Sequence, residues 1–215
     1  MAITRSSLSR AWGQRGSQYE RAQAELVRVL REVIADLSSN YKVRPVPFID
    51  GERKTFGSFL DKAIRYEEEG RVSKSSECFE QIKDIARARV ICQTLEDVAR
   101  IKRMLEDNEA MAVTGEAQIY EGSERGYRGV HLEVQVNAIV DGQPVATTCE
   151  VQLQTAVQFA WALFTHRDFY KGGEVPPYVR ELMEELSDLL HVADEVAGTL
   201  IRAVEESPVE ATIAD

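Results

Sequence analysis

An α+β fold, with a mixed β-sheet flanked by helices, follows from three features of the chain. The first is a pair of alternating segments, Val130 to Val136 and Val145 to Gln154, on either side of Asp141-Gly142. Asp-Gly between two alternating runs is a strong short-range hairpin signal. The second is an apolar run, Ala86 to Cys92, that reads as a buried strand. The third is a set of segments with helical spacing before, between and after these strands.

Taken in order, residues 17 to 37 place Ala22, Leu26, Val29, Leu30, Val33, Ile34 and Leu37 at the spacing of an amphipathic helix, with Trp12 ahead of it as a packing anchor. Tyr41 to Ile49 contains two prolines and reads as an edge strand or a loop. A helix then begins near Phe59, capped by either Ser58 or Thr55, with Leu60, Ala63 and Ile64 facing inward. Residues 67 to 77 are polar and read as a loop, and residues 77 to 83 as a short helical piece. After the buried strand, Thr94 caps a helix to Leu105 that turns Leu95, Val98, Ile101 and Leu105 inward, with Thr94-x-x-Asp97 approximating a capping box. Residues 109 to 121 carry one weak strand.

In the hairpin, Gln143-Pro144 predicts a loop longer than two residues. Strand side chains alternate faces, so Val130, Leu132, Val134 and Val136 line one side and His131, Glu133 and Gln135 the other. If the apolar faces share a core, His131, Glu150 and Gln152 meet on the polar face beside a Gly-Tyr-Arg-Gly turn at Tyr127. Residues 155 to 164 are apolar on nearly all sides and read as a buried helix. Pro176-Pro177 precedes a long last helix, Val179 to Glu205, whose stripe of Leu182, Leu186, Leu189, Leu190, Val192, Val196 and Leu200 exceeds the needs of one small core. Packing against the first helix or another subunit would bury it. The tail from Glu206 reads as frayed.

Composition narrows the classes. The 215 residues are 44% hydrophobic and 29% charged, ordinary for a soluble globular protein. No run approaches the roughly 20 apolar residues that cross a bilayer, and the polar N-terminus lacks a secretory core. Three cysteines without Cys-x-x-Cys spacing point to a reduced, cytoplasmic protein. A net charge of −10, from 36 acidic and 26 basic residues, argues against a broad nucleic-acid surface and so against tRNA, but leaves room for a local basic nucleotide pocket. The three histidines form no clustered metal pattern.

GYRGVH, then EVQLQT, then AWALFTHRDFYK, preceded by KTFGSFLDK and DIARAR, resembles the synthetase domain of the RelA/SpoT family over about residues 40 to 171. That family moves pyrophosphate from ATP to the ribose 3′-hydroxyl of GDP or GTP. The resemblance is to the small stand-alone type, and implies a nucleotidyltransferase-like core (40–171) between an N-terminal helical segment (1–39) and a C-terminal helix and tail (172–215), one domain overall. It implies Mg²⁺ as cofactor, held by Asp84 and Glu150, which are also the catalytic pair: Glu150 orients or deprotonates the acceptor hydroxyl. Arg53, Lys54, Ser58, Lys62 and Arg89 correspond to ATP-binding positions; Tyr127 (stacking on guanine), Arg128, His131 and Gln152 to the acceptor side.

Each assignment has a plainer competitor. An Asp and a Glu on strands are more often salt-bridged, a strand His more often a structural hydrogen-bonder, and the basic residues a solvated helix face. Glu52 stands where the family's leading Arg belongs, with Arg53 one place away. Gln154 replaces the family's usual Arg, and Phe159 a residue that commonly meets the guanine edge. Those departures leave two further readings: a relative that pyrophosphorylates tRNA 3′ ends or adenine nucleotides, and a catalytically silent nucleotide- or partner-binding module. A homo-oligomer through the terminal helices is also expected.

Overall fold

The structure is a computed structural model that describes residues 3–40, 48–51, 53–115, 118–121, 126–166 and 176–206. Residues 172–175, Tyr170, Lys171 and the tail beyond Glu206 fall outside those residues, as do most of the 41–49 segment and Glu52. The polar segment expected as a loop at 67–77 is described, and only its residues 69–74 lie between helices.

The first helix, α1, runs Arg5–Asn40, a full three turns earlier than periodicity predicts. Trp12 therefore lies within it, and its ring packs against Phe59 at 4.9 Å and Phe56 at 5.7 Å. β1 (Phe48–Asp50) is a short antiparallel edge strand. α2 (Phe56–Glu68) is capped by Thr55, whose hydroxyl accepts from the Ser58 amide, which decides between the two candidate caps. Its Ile64 faces outward, contrary to expectation, because Phe59, Ala63 and Tyr66 already form its buried stripe. α3 (Ser75–Gln81) starts two residues early because Glu77 reaches back to accept from the Ser73 and Lys74 amides.

β2 (Ala86–Cys92) has the predicted bounds and leads to α4 (Leu95–Glu106), capped by Thr94. The Thr94 hydroxyl accepts from the Asp97 amide and donates to the Asp97 carboxylate, so the box closes between side chains. Two short strands, β3 (Ala112–Val113) and β4 (Gln118–Glu121), stand where one was expected, both antiparallel to β5. β5 (Arg128–Val140) and β6 (Gln143–Thr155) form the central hairpin.

The hairpin turn has only two residues, Asp141 (φ 50°) and Gly142 (φ 79°), with Val140 opposite Gln143. Two consecutive positive φ values match the twist of antiparallel strands. Pro144 is accommodated because β2 pairs with β6 only from Cys149 onward, leaving the outer edge of β6 without a strand near the turn.

The six-stranded sheet has the order β1-β2-β6-β5-β3, with β4 also on β5. β2 and β6 are parallel and the other pairs antiparallel, giving the mixed sheet expected. Ala86, Ala88 and Val90 sit level with Cys149, Val151 and Leu153, which in turn face Val134, Leu132 and Val130. That apolar surface packs against α1 through Leu26, Val29, Leu30 and Val33. Gln23 of α1 also pairs with the backbone of Arg87 at 2.6 and 2.7 Å, where β1 no longer covers the edge of β2. Cys78, Cys92 and Cys149 are all buried free thiols, and burial pushes the Cys149 thiol up to about 12 and raises the other two.

α5 (Ala156–His166) is less enclosed than predicted: Trp161 is buried but Leu163 and Phe164 are exposed. α6 (Pro177–Glu206) packs on α5 and α4. Met183, Ser187 and Asp194 face inward, while Leu182, Leu186, Leu189, Val192, Val196 and Leu200 stay exposed. Among the described residues no helix is long and apolar enough to cross a membrane.

Candidate active site

The polar face of the sheet carries the chemistry. Register places Arg87 level with Glu150 and Arg89 level with Gln152, while His131 stands opposite Gln152 and Glu133 opposite Glu150. These residues alternate with the core residues of the same strands, so burying one face aims the other at a common surface.

A continuous hydrogen-bonded row crosses that surface. The Arg89 guanidinium donates through Nε and Nη2 to Gln152 Oε1, at 3.2 and 3.0 Å. Gln152 Nε2 donates to Glu150 Oε2 at 2.6 Å. Glu150 Oε1 lies 3.1 Å from His131 Nδ1, and His131 Nε2 lies 2.7 Å from Tyr127 Oη. Gln154 Nε2 donates to Tyr127 Oη at 3.1 Å and to the Arg128 carbonyl at 3.2 Å. The directions close consistently when Tyr127 donates to Nε2 and His131 carries its proton on Nδ1, facing Glu150. Burial raises the Glu150 pKa, but the hydrogen bonds from His131 and from the Gln152 amide outweigh it, leaving the carboxyl below its usual range.

Asp84 lies at the entrance to β2. A backbone bond from Lys54 N to Ile85 O, 2.9 Å, draws the start of α2 alongside it. Lys54 Nζ then reaches Asp84 Oδ2 at 2.7 Å, and Lys62 Nζ, two turns along, reaches Oδ1 at 2.9 Å. Burial raises the Asp84 pKa, and Lys62 and Lys54 together reverse this, so it too titrates below the ordinary range. The trio carries one net positive charge. Asp84 in turn works against ionisation of Glu150, so the two carboxylates share one electrostatic field.

The structure gathers Lys54, Lys62, Asp84, Arg89, Tyr127, His131, Glu150 and Gln152 into two linked clusters. Ser58 remains exposed one turn into α2, beside its cap. Arg53 and Arg128 are not brought into either cluster, and alternation along the chain explains both. Arg53 points away from its neighbour Lys54 towards α1, where it pairs with Glu20 at 2.9 Å, donates to the Gly16 carbonyl and lies over Trp12. Arg128 lies on the opposite face of β5 from Tyr127 and His131, and pairs with Asp188 of α6 at 2.9 Å.

The two departures noted in the sequence now have physical content. Gln154 is fully buried and holds Tyr127, while the Phe159 ring lies under the Arg89 guanidinium at 4.9 Å. A cation–π contact replaces whatever hydrogen bond a polar residue would have offered there. Sequence reasoning missed Lys83, which pairs with Glu133 at 3.3 Å and relieves the like-charge pair Glu133–Glu150. It also missed Ser187 and Asp194, although polar residues seven apart in the buried seam of α6 were a legible signal.

A sequence profile described as "Region found in RelA / SpoT proteins" matches residues 51–175. The chain belongs to the RelA/SpoT family. The matched region holds both carboxylates, both lysines and the whole row from Arg89 to Gln154. Among curated relatives of this RelA/SpoT chain, GTP pyrophosphokinase YjbM of Bacillus subtilis is 28% identical over 165 residues, 76% of this chain and 75% of that one. GTP pyrophosphokinase YwaC of the same organism is 26% identical over 153 residues, 70% and 71% of the two chains. Among solved structures, small alarmone synthetase 1 from Bacillus subtilis, bound to its product pppGpp, superposes with a TM-score of 0.79 at 25% identity, covering 91% of this chain and 99% of that one.

The donor chemistry also fits a hard divalent cation. Asp84 and Glu150 offer carboxylate oxygens in a common field, and magnesium is commonly held by one or two carboxylates together with substrate phosphates.

Proposed function

We propose that this protein transfers the pyrophosphoryl group of ATP to the 3′-hydroxyl of GDP or GTP, with Mg²⁺. The observation that carries the reading is a lysine-clamped Asp84 at the entrance to β2 in the electrostatic field of a hydrogen-bonded Glu150 on the polar sheet face. Family membership supports it, as do relatives named GTP pyrophosphokinase.

Asp84 and Glu150 would hold the magnesium ion, which supplies charge neutralisation on the group being transferred. Lys54 and Lys62 exchange their hold on Asp84 for contacts to the ATP phosphates, an exchange that costs little because one set of ion contacts replaces another. Arg89, fixed by Gln152 and Phe159, supplies a third cation to the phosphates. Tyr127 stacks on the acceptor base, and such contacts are worth about 1–3 kcal/mol. Glu150 orients the acceptor hydroxyl as a hydrogen-bond acceptor and takes its proton as the new P–O bond forms, while AMP leaves. The Nδ1–H of His131 steadies that carboxylate. A homo-oligomer formed through α6 belongs to the same reading, since its outer apolar face lacks a cover within the described chain.

The test is AMP release from ATP and Mg²⁺, with GDP, GTP, ATP and tRNA offered separately beside a Glu150→Ala control. Release with GDP or GTP that drops about 10²–10⁴-fold in the control is expected for loss of a proton acceptor. Release only with ATP or tRNA as acceptor would assign Phe159 and Gln154 to a different pocket. No release with any acceptor would overturn catalysis.

A further inference from the structure

We infer that α6 is part of the acceptor site's machinery, and that Ser187 is a positioning residue that sets Tyr127. The inference rests on the acceptor-side reading of Tyr127 given above. Its evidence is the way α6 grips both neighbours of that tyrosine.

On one side, Ser187 Oγ donates to the Gly126 carbonyl at 2.6 Å, and both residues are buried. Gly126 has φ +73°, and a Cβ placed there would lie 2.5 Å from the Ser187 Cβ and 3.1 Å from Trp161. The helix and the turn are therefore in backbone-to-side-chain contact that only glycine permits. On the other side, Arg128 donates to Asp188, the very next residue of α6. Gly126 and Arg128 also line, with Ser187, His191 and Asp194, one small cleft between the turn and α6.

Asp194 ties the same helix to the end of β6. Its Oδ2 accepts from Thr155 Oγ1 at 2.6 Å, and Thr155 follows Gln154, which holds the Tyr127 hydroxyl. The tyrosine is thus fixed at its ring end by His131 and Gln154, and at its backbone by α6 from both flanks. A turn with one positive-φ glycine on either side, Gly126 and Gly129, has no stiffness of its own to hold an aromatic ring in one pose. α6 supplies it. The α6 bonds described here go to Gly126, Arg128 and Thr155 and to no member of the Asp84–Lys54–Lys62 cluster, so their effect is expected on the acceptor side.

The experiment compares Ser187→Ala and the exposed Asp188→Asn with the natural protein, measuring KM for GDP, KM for ATP and kcat. Ser187→Ala is expected to raise KM for GDP about tenfold, the scale of losing one well-oriented stacking contact on a base, with KM for ATP unchanged. Asp188→Asn, which cannot unfold a buried site, is expected to raise it about twofold. In a Tyr127→Ala background, Ser187→Ala should add nothing further to KM for GDP, since coupled residues are not additive. Equal rises in both KM values, or an undiminished effect in that background, would mean that Ser187 only supports the fold and would overturn the inference. Turnover with KM for GDP unchanged in both single variants would also overturn it while leaving the catalytic reading intact. Absence of turnover in the natural protein would overturn both.

Discussion

Asp84 shows how one side chain can belong to both stability and function. Without nucleotide it is the counter-ion that allows Lys54 and Lys62 to approach each other. Replacing it with Asn leaves two ammonium groups facing one neutral amide, and should cost about 1–3 kcal/mol at pH 7. Denaturant unfolding would measure the loss, and added ATP should restore more stability to Asp84→Asn than to the natural protein, since phosphates supply the missing anion. The pH dependence has a definite sign. Asp84 and Glu150 both titrate lower in the fold than in the unfolded chain. Their contribution is therefore complete above the ordinary carboxylate pKa values of about 4, and is lost as pH falls through the lower folded values. Unfolding free energy should stay level from pH 7 towards 5 and fall steeply below about 4, a fall that Asp84→Asn should blunt.

At the scale of elements, the central hairpin tests how much a turn contributes. Asp141 and Gly142 both adopt positive φ, and Gly142 has open space around it. Gly142→Val has no clash to meet and pays only the left-handed backbone, so it should lower stability by about 1–2 kcal/mol without touching activity per folded molecule. A thermal melt beside a kcat measurement would show this. α6 makes a different prediction. Val179, Leu182, Leu186, Leu189, Ala193, Val196 and Leu200 recur at alternating spacings of three and four, the pattern of a coiled-coil seam, on the side away from α5. Leu189 is 69% exposed, so Leu189→Glu should leave the single chain folded. Light scattering should record a smaller mass for that variant if α6 joins copies; an unchanged mass would remove this helix from the interface.

These elements also mark what the sequence could reveal. β2 was legible to the residue, because an apolar run between Asp84 and the Thr94 cap leaves no alternative boundaries. The hairpin faces were legible because alternation is a strict period. The turn length was not: Pro144 argues against a strand only if a neighbour needs its amide, and the extent of β2 is a tertiary fact. The first three turns of α1 were hidden for a similar reason. Residues 5–16 carry two glycines and few apolar residues, and the helix persists there through Leu8 and Trp12 packing under α2 and α3. In the site, the motif order pointed to Asp84, Glu150 and the lysines, while the destinations of Arg53 and Arg128 depend on α1 and α6, which lie far away in the chain.

The whole molecule is a sheet with one face given to packing and the other to charge, and three sulfur atoms lie wholly on the packing side. Cys92 and Cys149 sit on β2 and β6 within the core and Cys78 on α3, each with its thiol disfavoured from ionising. Thiolate is the reactive form, so a folded chain presents almost nothing to an alkylating or oxidising reagent. The cysteines therefore act as a built-in clock for opening. Incubated with iodoacetamide and sampled over time, the protein should gain labels at the rate at which its core exposes itself, and a bound nucleotide that clamps Asp84 and Glu150 should slow that clock without covering a single sulfur.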